Sequence, residues 1–181
     1  MRNYYYKTVV SEISDRVREL SDSKQYILIG IDGCGGSGKS TFAAELSEAL
    51  EAAPIIHMDD FYKPSQERKT VTNTTLVGWQ FDWQRLETDV LQSFTTRGYA
   101  QYQRYDWNTD SFEETRTIHA CSPIIIEGIY VLRPELLSYY DFRIWMECSK
   151  EIRLQRGVER DGEQARPLWE EIWMKEEEKY M

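Results

Sequence analysis

Eight consecutive residues, Gly33-Cys34-Gly35-Gly36-Ser37-Gly38-Lys39-Ser40, have the types and spacing needed to hold a phosphate chain. They fit G-x-x-x-x-G-K-[ST], in which backbone amides wrap phosphate oxygens. Side chains at the crowded positions would block that approach, and several positions favour left-handed backbone, so glycine is the suited residue. Lys39 can reach the β- and γ-phosphates and neutralise charge there. The Ser40 hydroxyl is a hard oxygen ligand of the kind Mg²⁺ takes. Gly33, Gly35, Gly36, Ser37, Gly38, Lys39, Ser40 and Thr41 are therefore the candidate contacts to a nucleotide's phosphates.

Carboxylates and arginines elsewhere could complete phosphoryl chemistry. Asp59 and Asp60 follow the apolar run 55–58, and Glu127 ends the run Pro123-Ile124-Ile125-Ile126. A carboxylate at such a strand end can accept the proton of an attacking hydroxyl or help hold Mg²⁺; an Asp pair capping a turn is the plainer alternative. Arg153, Arg156 and Arg160 recur at i, i+3, i+7 and share one helix face. That face is either solvated or a lid that brings guanidinium groups onto a transferring phosphoryl. Between them, Tyr99-Ala100-Gln101-Tyr102-Gln103-Arg104-Tyr105-Asp106-Trp107 interleaves aromatic and polar residues, as a packed hairpin or as a surface that recognises a small ring-bearing or hydroxylated molecule.

These residues need elements to position them. Residues 26–31 read as a buried strand and 41–50 as an amphipathic helix, so the glycine-rich loop lies between strand and helix N-terminus, where the helix dipole favours anions. Residues 55–58, 123–128 and 141–147 read as three further strands. Residues 4–20 carry Val9, Val10, Ile13, Val17 and Leu20 at helical spacing; 63–82 are polar and irregular; Asp82 reads as the N-cap of a helix bearing Trp83, Leu86, Val90, Leu91 and Phe94. A short strand is expected at 115–118, a short helix at 132–140, and a glutamate-rich, mostly exposed helix over 169–181.

The 181 residues suit one domain, and 41% hydrophobic with 29% charged residues describes a globular chain. A net charge of −9 argues against a nucleic-acid or anionic-membrane surface. Three scattered cysteines, Cys34, Cys121 and Cys148, lack metal-ligand spacing and fit a reduced, cytoplasmic setting. No apolar segment resembles a signal peptide or a membrane span.

In order, the phosphate loop, Asp59-Asp60-Phe61-Tyr62, Tyr105-Asp106-Trp107, Glu127-Gly128-Ile129 and Arg153-x-x-Arg156-x-x-x-Arg160-Asp161 resemble the uridine kinase-like group of P-loop kinases. The resemblance runs from about Ile27 to Arg166. It implies ATP- and Mg²⁺-dependent phosphorylation of a small-molecule hydroxyl. Asp59 would be the general base, Ser40 and Glu127 the metal-organising residues, and Arg156 and Arg160 part of a lid over 150–167. Candidate acceptor contacts are Asp59, Tyr62, Arg104, Tyr105 and Asp110. Two departures concern the acceptor. Asn108-Thr109-Asp110 stands where nucleoside kinases of the group carry a histidine, and only Phe81-Asp82 survives of their ribose-holding motif. The group's chains usually continue past the lid to a last strand and an adenine-contacting loop. With residues running to Met181, a reduced adenine pocket and an open sheet edge are expected.

The expected fold is a three-layer α/β P-loop NTPase domain over 1–181, a parallel sheet with helices on both faces and 1–24 as a helical extension. The expected partners are ATP and a small hydroxyl-bearing substrate, without nucleic acid or membrane; a homodimer is compatible. Two other readings stand beside the kinase: an ATPase without an acceptor, and a nucleotide-binding module without turnover.

Overall fold

Side chains alternate across a strand, so a strand buried on both faces is apolar throughout. A computed structural model describes residues 2–21, 23–70, 76–119 and 123–181, the side chains of 2–5 and 70 excepted. In it, β1 (Leu28–Asp32) is buried at every position. Ile27, Ile29 and Ile31 pack with Ile125 into one helical layer, while Leu28, Ile124 and Ile126 pack into the opposite one. The threonines of 71–75, Cys121 and the Tyr4 and Tyr5 side chains lie outside the described residues.

The chain begins with α1 (Arg2–Ser21), enters β1, and continues through α2 (Lys39–Ala49), β2 (Ile55–His57), a 3₁₀ turn (Met58–Phe61) and α3 (Ser65–Thr70). A longer helix follows, made of α4 (Trp83–Leu86), a π-helical turn (Glu87–Leu91) and α5 (Gln92–Arg97). Then come β3 (Tyr99–Asp106), β4 (Ser111–His119), β5 (Ile124–Glu127), β6 (Phe142–Trp145) and α6 (Lys150–Asp161). The last helical run comprises α7 (Arg166–Leu168), a π-helical turn (Trp169–Trp173) and α8 (Met174–Glu178).

The main sheet is parallel in the order β2-β5-β1-β6. Val10 and Val17 of α1 and Phe42 and Leu46 of α2 cover one face; Leu86, Val90, Leu91 and Phe94 cover the other. This is the expected three-layer α/β fold. Asp82 caps α4, its carboxylate accepting from the Arg85 amide at 3.1 Å. The register aligns His57 with Glu127 and Ile31 with Glu127, so β1, β2 and β5 end at one level. In an open parallel sheet the carboxyl ends of the strands are where ligands gather. Strand β6 is one edge of the sheet among the described residues, with Trp145 exposed upon it. Among the described residues no helix is long and apolar enough to cross a membrane.

Four local expectations change. Residues 99–119 form an antiparallel hairpin, β3 with β4, in line with the hairpin reading of 99–107, and the short strand expected at 115–118 extends over 111–119. In β4 only Ile118 is buried, so the alternation that marks a half-buried strand is missing from its sequence. Residues 132–140 hold only a 3₁₀ turn, Leu137–Tyr139, because Pro134 lacks an amide and biases Arg133 away from helix. The polar stretch after Tyr62 contains α3. The C-terminal run is helical as expected but not mostly exposed: Trp169, Met174 and Glu177 are buried.

That burial rests on a close approach. The indole of Trp169 lies on Gly157 of α6, where an added Cβ would fall 2.3 Å from the ring. Alanine normally gains up to about 1 kcal/mol over glycine within a helix. Here overpacking reverses the sign. Gly157→Ala should lose about 1–3 kcal/mol, read as a lower denaturant midpoint. An unchanged or raised midpoint would contradict this packing.

Candidate functional site

The phosphate loop spans the gap between β1 and α2. Gly38 precedes α2 at φ 101°, a left-handed conformation that costs glycine nothing. No side chain caps α2, so its first amides stay available to an anion. Lys39 is buried and its Nζ donates to the Cys34 carbonyl at 3.1 Å, across the loop. The buried Ser37 hydroxyl has no hydrogen-bond partner among the described residues.

Glu127 ends β5 beside this loop. Its Oε1 accepts from the Ser40 hydroxyl at 3.1 Å and shares a 2.5 Å hydrogen bond with His57 Nδ1. That bond holds the His57 pKa above its ordinary value, against the opposing effect of burial. Oε2 is buried without a partner among the described residues. A hydroxyl and a carboxylate with one oxygen free fit Mg²⁺, which binds through one or two protein oxygens and completes its shell with phosphates and water. Among the described residues there is no cluster of three His, Cys, Asp or Glu that could cage a metal. His57 is the residue that sequence reasoning missed. Its signal lies in the pairing, since a residue at the end of β2 falls opposite Glu127 only once the two strands are neighbours.

The 3₁₀ turn after β2 separates the two aspartates. Asp60 is buried and accepts from the Tyr102 hydroxyl at 3.2 Å and from Arg104 Nε at 3.0 Å. It therefore ties the turn to β3. Asp59 is exposed to solvent. Surrounding protein, and secondarily the charge of Glu127, raise its pKa above the ordinary carboxylate value; Lys39, His57 and Arg160 pull the other way. Open water moderates the shift without changing its direction.

Beyond Asp59 stands an aromatic wall. The Tyr62 ring lies 4.5 Å from that of Trp107, 5.1 Å from Phe81 and 5.4 Å from Tyr105. Asp110 Oδ1 accepts from the Tyr105 hydroxyl at 2.7 Å and the Ser65 amide at 2.9 Å, fastening the hairpin tip to α3. Those bonds lower the Asp110 pKa to about 2. Arg104 pairs with Asp60 and, at 3.8 Å, with Glu113. The structure thus gathers Tyr62 and Tyr105 into one surface, while Arg104 and Asp110 are engaged in holding it.

The arginine stripe of α6 divides. Arg156 Nη1 donates to the Gly36 carbonyl at 3.1 Å, against the phosphate loop. Arg160 forms two hydrogen bonds with Asp161, at 2.7 and 3.0 Å, and lies near enough to act electrostatically on Asp59. Arg153 turns inward to Glu177 at 2.9 Å and is buried there.

The chain is similar to known proteins. Uridine-cytidine kinase-like 1 of Mus musculus is 30% identical over 152 residues, which cover 78% of this chain and 27% of that protein. A uridine kinase of Clostridium perfringens is 30% identical over 146 residues, 76% of this chain and 69% of that one. Among solved structures, a putative fructose transport system kinase from Silicibacter sp. superposes with a TM-score of 0.70 at 25% identity, covering 88% of each chain. This chain therefore spans about a quarter of the first of these relatives and about two thirds of the second. Residues 28–167, from β1 through the arginines of α6, match the Phosphoribulokinase / Uridine kinase family, and the chain belongs to that family.

Proposed function

We propose that this protein is an ATP-dependent kinase that transfers the γ-phosphoryl group to a hydroxyl of a small molecule. The observation that carries this reading is the convergence of Lys39, Ser40, Glu127 and Asp59 at the ends of β1, β2 and β5. A hydrolase needs the phosphate loop and the metal-organising pair. A carboxylate with a raised pKa beside them, facing an open aromatic wall, suits activation of an acceptor.

The loop from Gly33 to Thr41 cradles the phosphates, and Lys39 exchanges the Cys34 carbonyl for phosphate oxygens. Ser40 and the free oxygen of Glu127 would hold Mg²⁺, which would supply charge neutralisation for the phosphates. Asp59 takes the proton from the acceptor hydroxyl as that oxygen bonds to the γ-phosphorus. The bond from that phosphorus to the bridging β-γ oxygen breaks and ADP leaves. Arg156 and Arg160 lie on the lid side and offset charge on the transferring group. Tyr62 and Tyr105 form the acceptor wall, held in place by Arg104 and Asp110. The relatives named for uridine make a nucleoside one candidate acceptor, and the relative named for fructose transport makes a sugar another.

The proposal is tested by ADP release against nucleosides, sugars and hydroxylated vitamins. At least one should stimulate release well above the acceptor-free rate; equal release with and without every acceptor indicates an ATPase. Lys39→Ala should abolish turnover with an unchanged circular dichroism spectrum, and full activity in that variant would sink the mechanism. Asp59 acts as a carboxylate, so kcat should fall as pH drops through its raised pKa. Asp59→Asn should lower kcat about 10²-fold and remove that acidic limb. The same shift disfavours the charged form in the folded state, so stability contributed by Asp59 declines as pH rises through it, and the Asn variant should be no less stable at neutral pH. Loss of ATP affinity instead of kcat would reassign Asp59 to the metal.

A further inference from the structure

We propose that the C-terminal segment 169–180 is a brace that orders the phosphate loop before nucleotide arrives, with Glu177 and Tyr180 as its positioning residues. Glu177 is 6% exposed, and both of its carboxylate oxygens are engaged. Oε1 accepts from the Gly35 amide at 2.9 Å and Oε2 from Arg153 Nη1 at 2.9 Å. The Tyr180 hydroxyl donates to Asp32 Oδ2 at 2.6 Å. Asp32 is fully buried and also accepts from the amides of Gly33 at 2.6 Å, Tyr130 at 3.2 Å and Leu132 at 2.8 Å. One carboxylate thus joins the entry of the phosphate loop, the segment following Glu127 and the C-terminal run. Apolar contacts reinforce this. The Trp169 indole lies over Gly35 as well as Gly157, and the Tyr180 ring meets that of Tyr130 edge-on at 4.7 Å.

The physical need is conformational. Glycine loses more backbone freedom on ordering than any other residue, and this loop holds Gly33, Gly35, Gly36 and Gly38. Order imposed before binding removes that cost from the binding step. A buried carboxylate is costly unless its oxygens are satisfied, so Glu177 holds a directional geometry that apolar packing alone would not. The donors it selects are a loop amide and the guanidinium of the helix bearing Arg156 and Arg160. Loop and α6 are thereby fixed to the same residue.

Cys34, inside the loop and 3% exposed, reports on this order. Burial, and after it the charge of Glu177, push its thiol up to about 11, so it stays unreactive while the loop is closed. In a Cys121→Ala/Cys148→Ala background, Cys34 is the sole thiol of the three cysteines. In nucleotide-free protein, Tyr180→Phe, which keeps the Glu177 charge, should speed alkylation of Cys34 by iodoacetamide about fivefold or more, the loss expected for one buried hydrogen bond; Glu177→Gln, which also removes that charge from beside the thiol, should speed it at least as much. ATP affinity by calorimetry should weaken by a similar factor, and KM for ATP should rise more than kcat falls. Val17→Ala, on the buried face of α1 and away from the loop, supplies a matched loss of overall stability. Unchanged alkylation in the folded tail variants, or equal acceleration by Val17→Ala, would overturn the brace. The calorimetric and kinetic arms rest on the nucleotide-site reading. The alkylation arm does not, so failure of the kinase proposal and failure of the brace are separately visible.

Discussion

A glycine-rich loop has no shape of its own, and the chemistry of this protein depends on what fixes residues 33–40. Three constraints do so. β1 is buried on both faces and delivers the loop at the level where β2 and β5 also end. α2 begins directly after Gly38 and leaves its first amides without a side-chain cap. Asp32, at the last position of β1, accepts from the Gly33 amide and from two amides beyond β5. Removing any of these would leave phosphate-binding groups present in sequence but unaligned in space.

Charge then sorts the acids around the loop by environment rather than by type. Asp60 is neutralised by Arg104 and serves the hairpin. Glu127 is held by Ser40 and His57 with one oxygen to spare. Among the described residues Asp59 is left free of such partners, raised by the surrounding protein and by Glu127 while opposed by Lys39, His57 and Arg160. Such divergence among neighbouring carboxylates is how one site assigns separate acid-base and metal roles. The net charge of −9 is compatible with this, because the cations we propose to meet phosphate, Lys39, Arg156 and Arg160, would act at close range.

Much of this was legible in the chain. The phosphate motif, the apolar strands on either side of it and the Asp82 cap depend on local pattern, and local pattern is what sequence carries best. Asp59 and Glu127 were legible because an apolar strand announces its own end. What stayed hidden depends on pairing across the chain. His57 matters through its neighbour in β5, and the hairpin strand β4 presents almost no apolar alternation. The C-terminal run misled because its glutamates suggest solvent on every side. Trp169, Met174 and Glu177 instead share an inward face, in a helix whose π-helical turn shifts the residue spacing that periodicity relies on. The arginine stripe was read as one surface, yet Arg153 is consumed by Glu177.

The central claim is that the convergence at the ends of β1, β2 and β5 transfers a phosphoryl group rather than releasing it. The most direct measurement follows the label of γ-labelled ATP in the presence of the acceptor that best stimulates ADP release. A kinase places the label in an organic phosphate ester in equal amount to the ADP formed, and Asp59→Asn suppresses that ester. Label recovered only as inorganic phosphate, with or without acceptor, would contradict it.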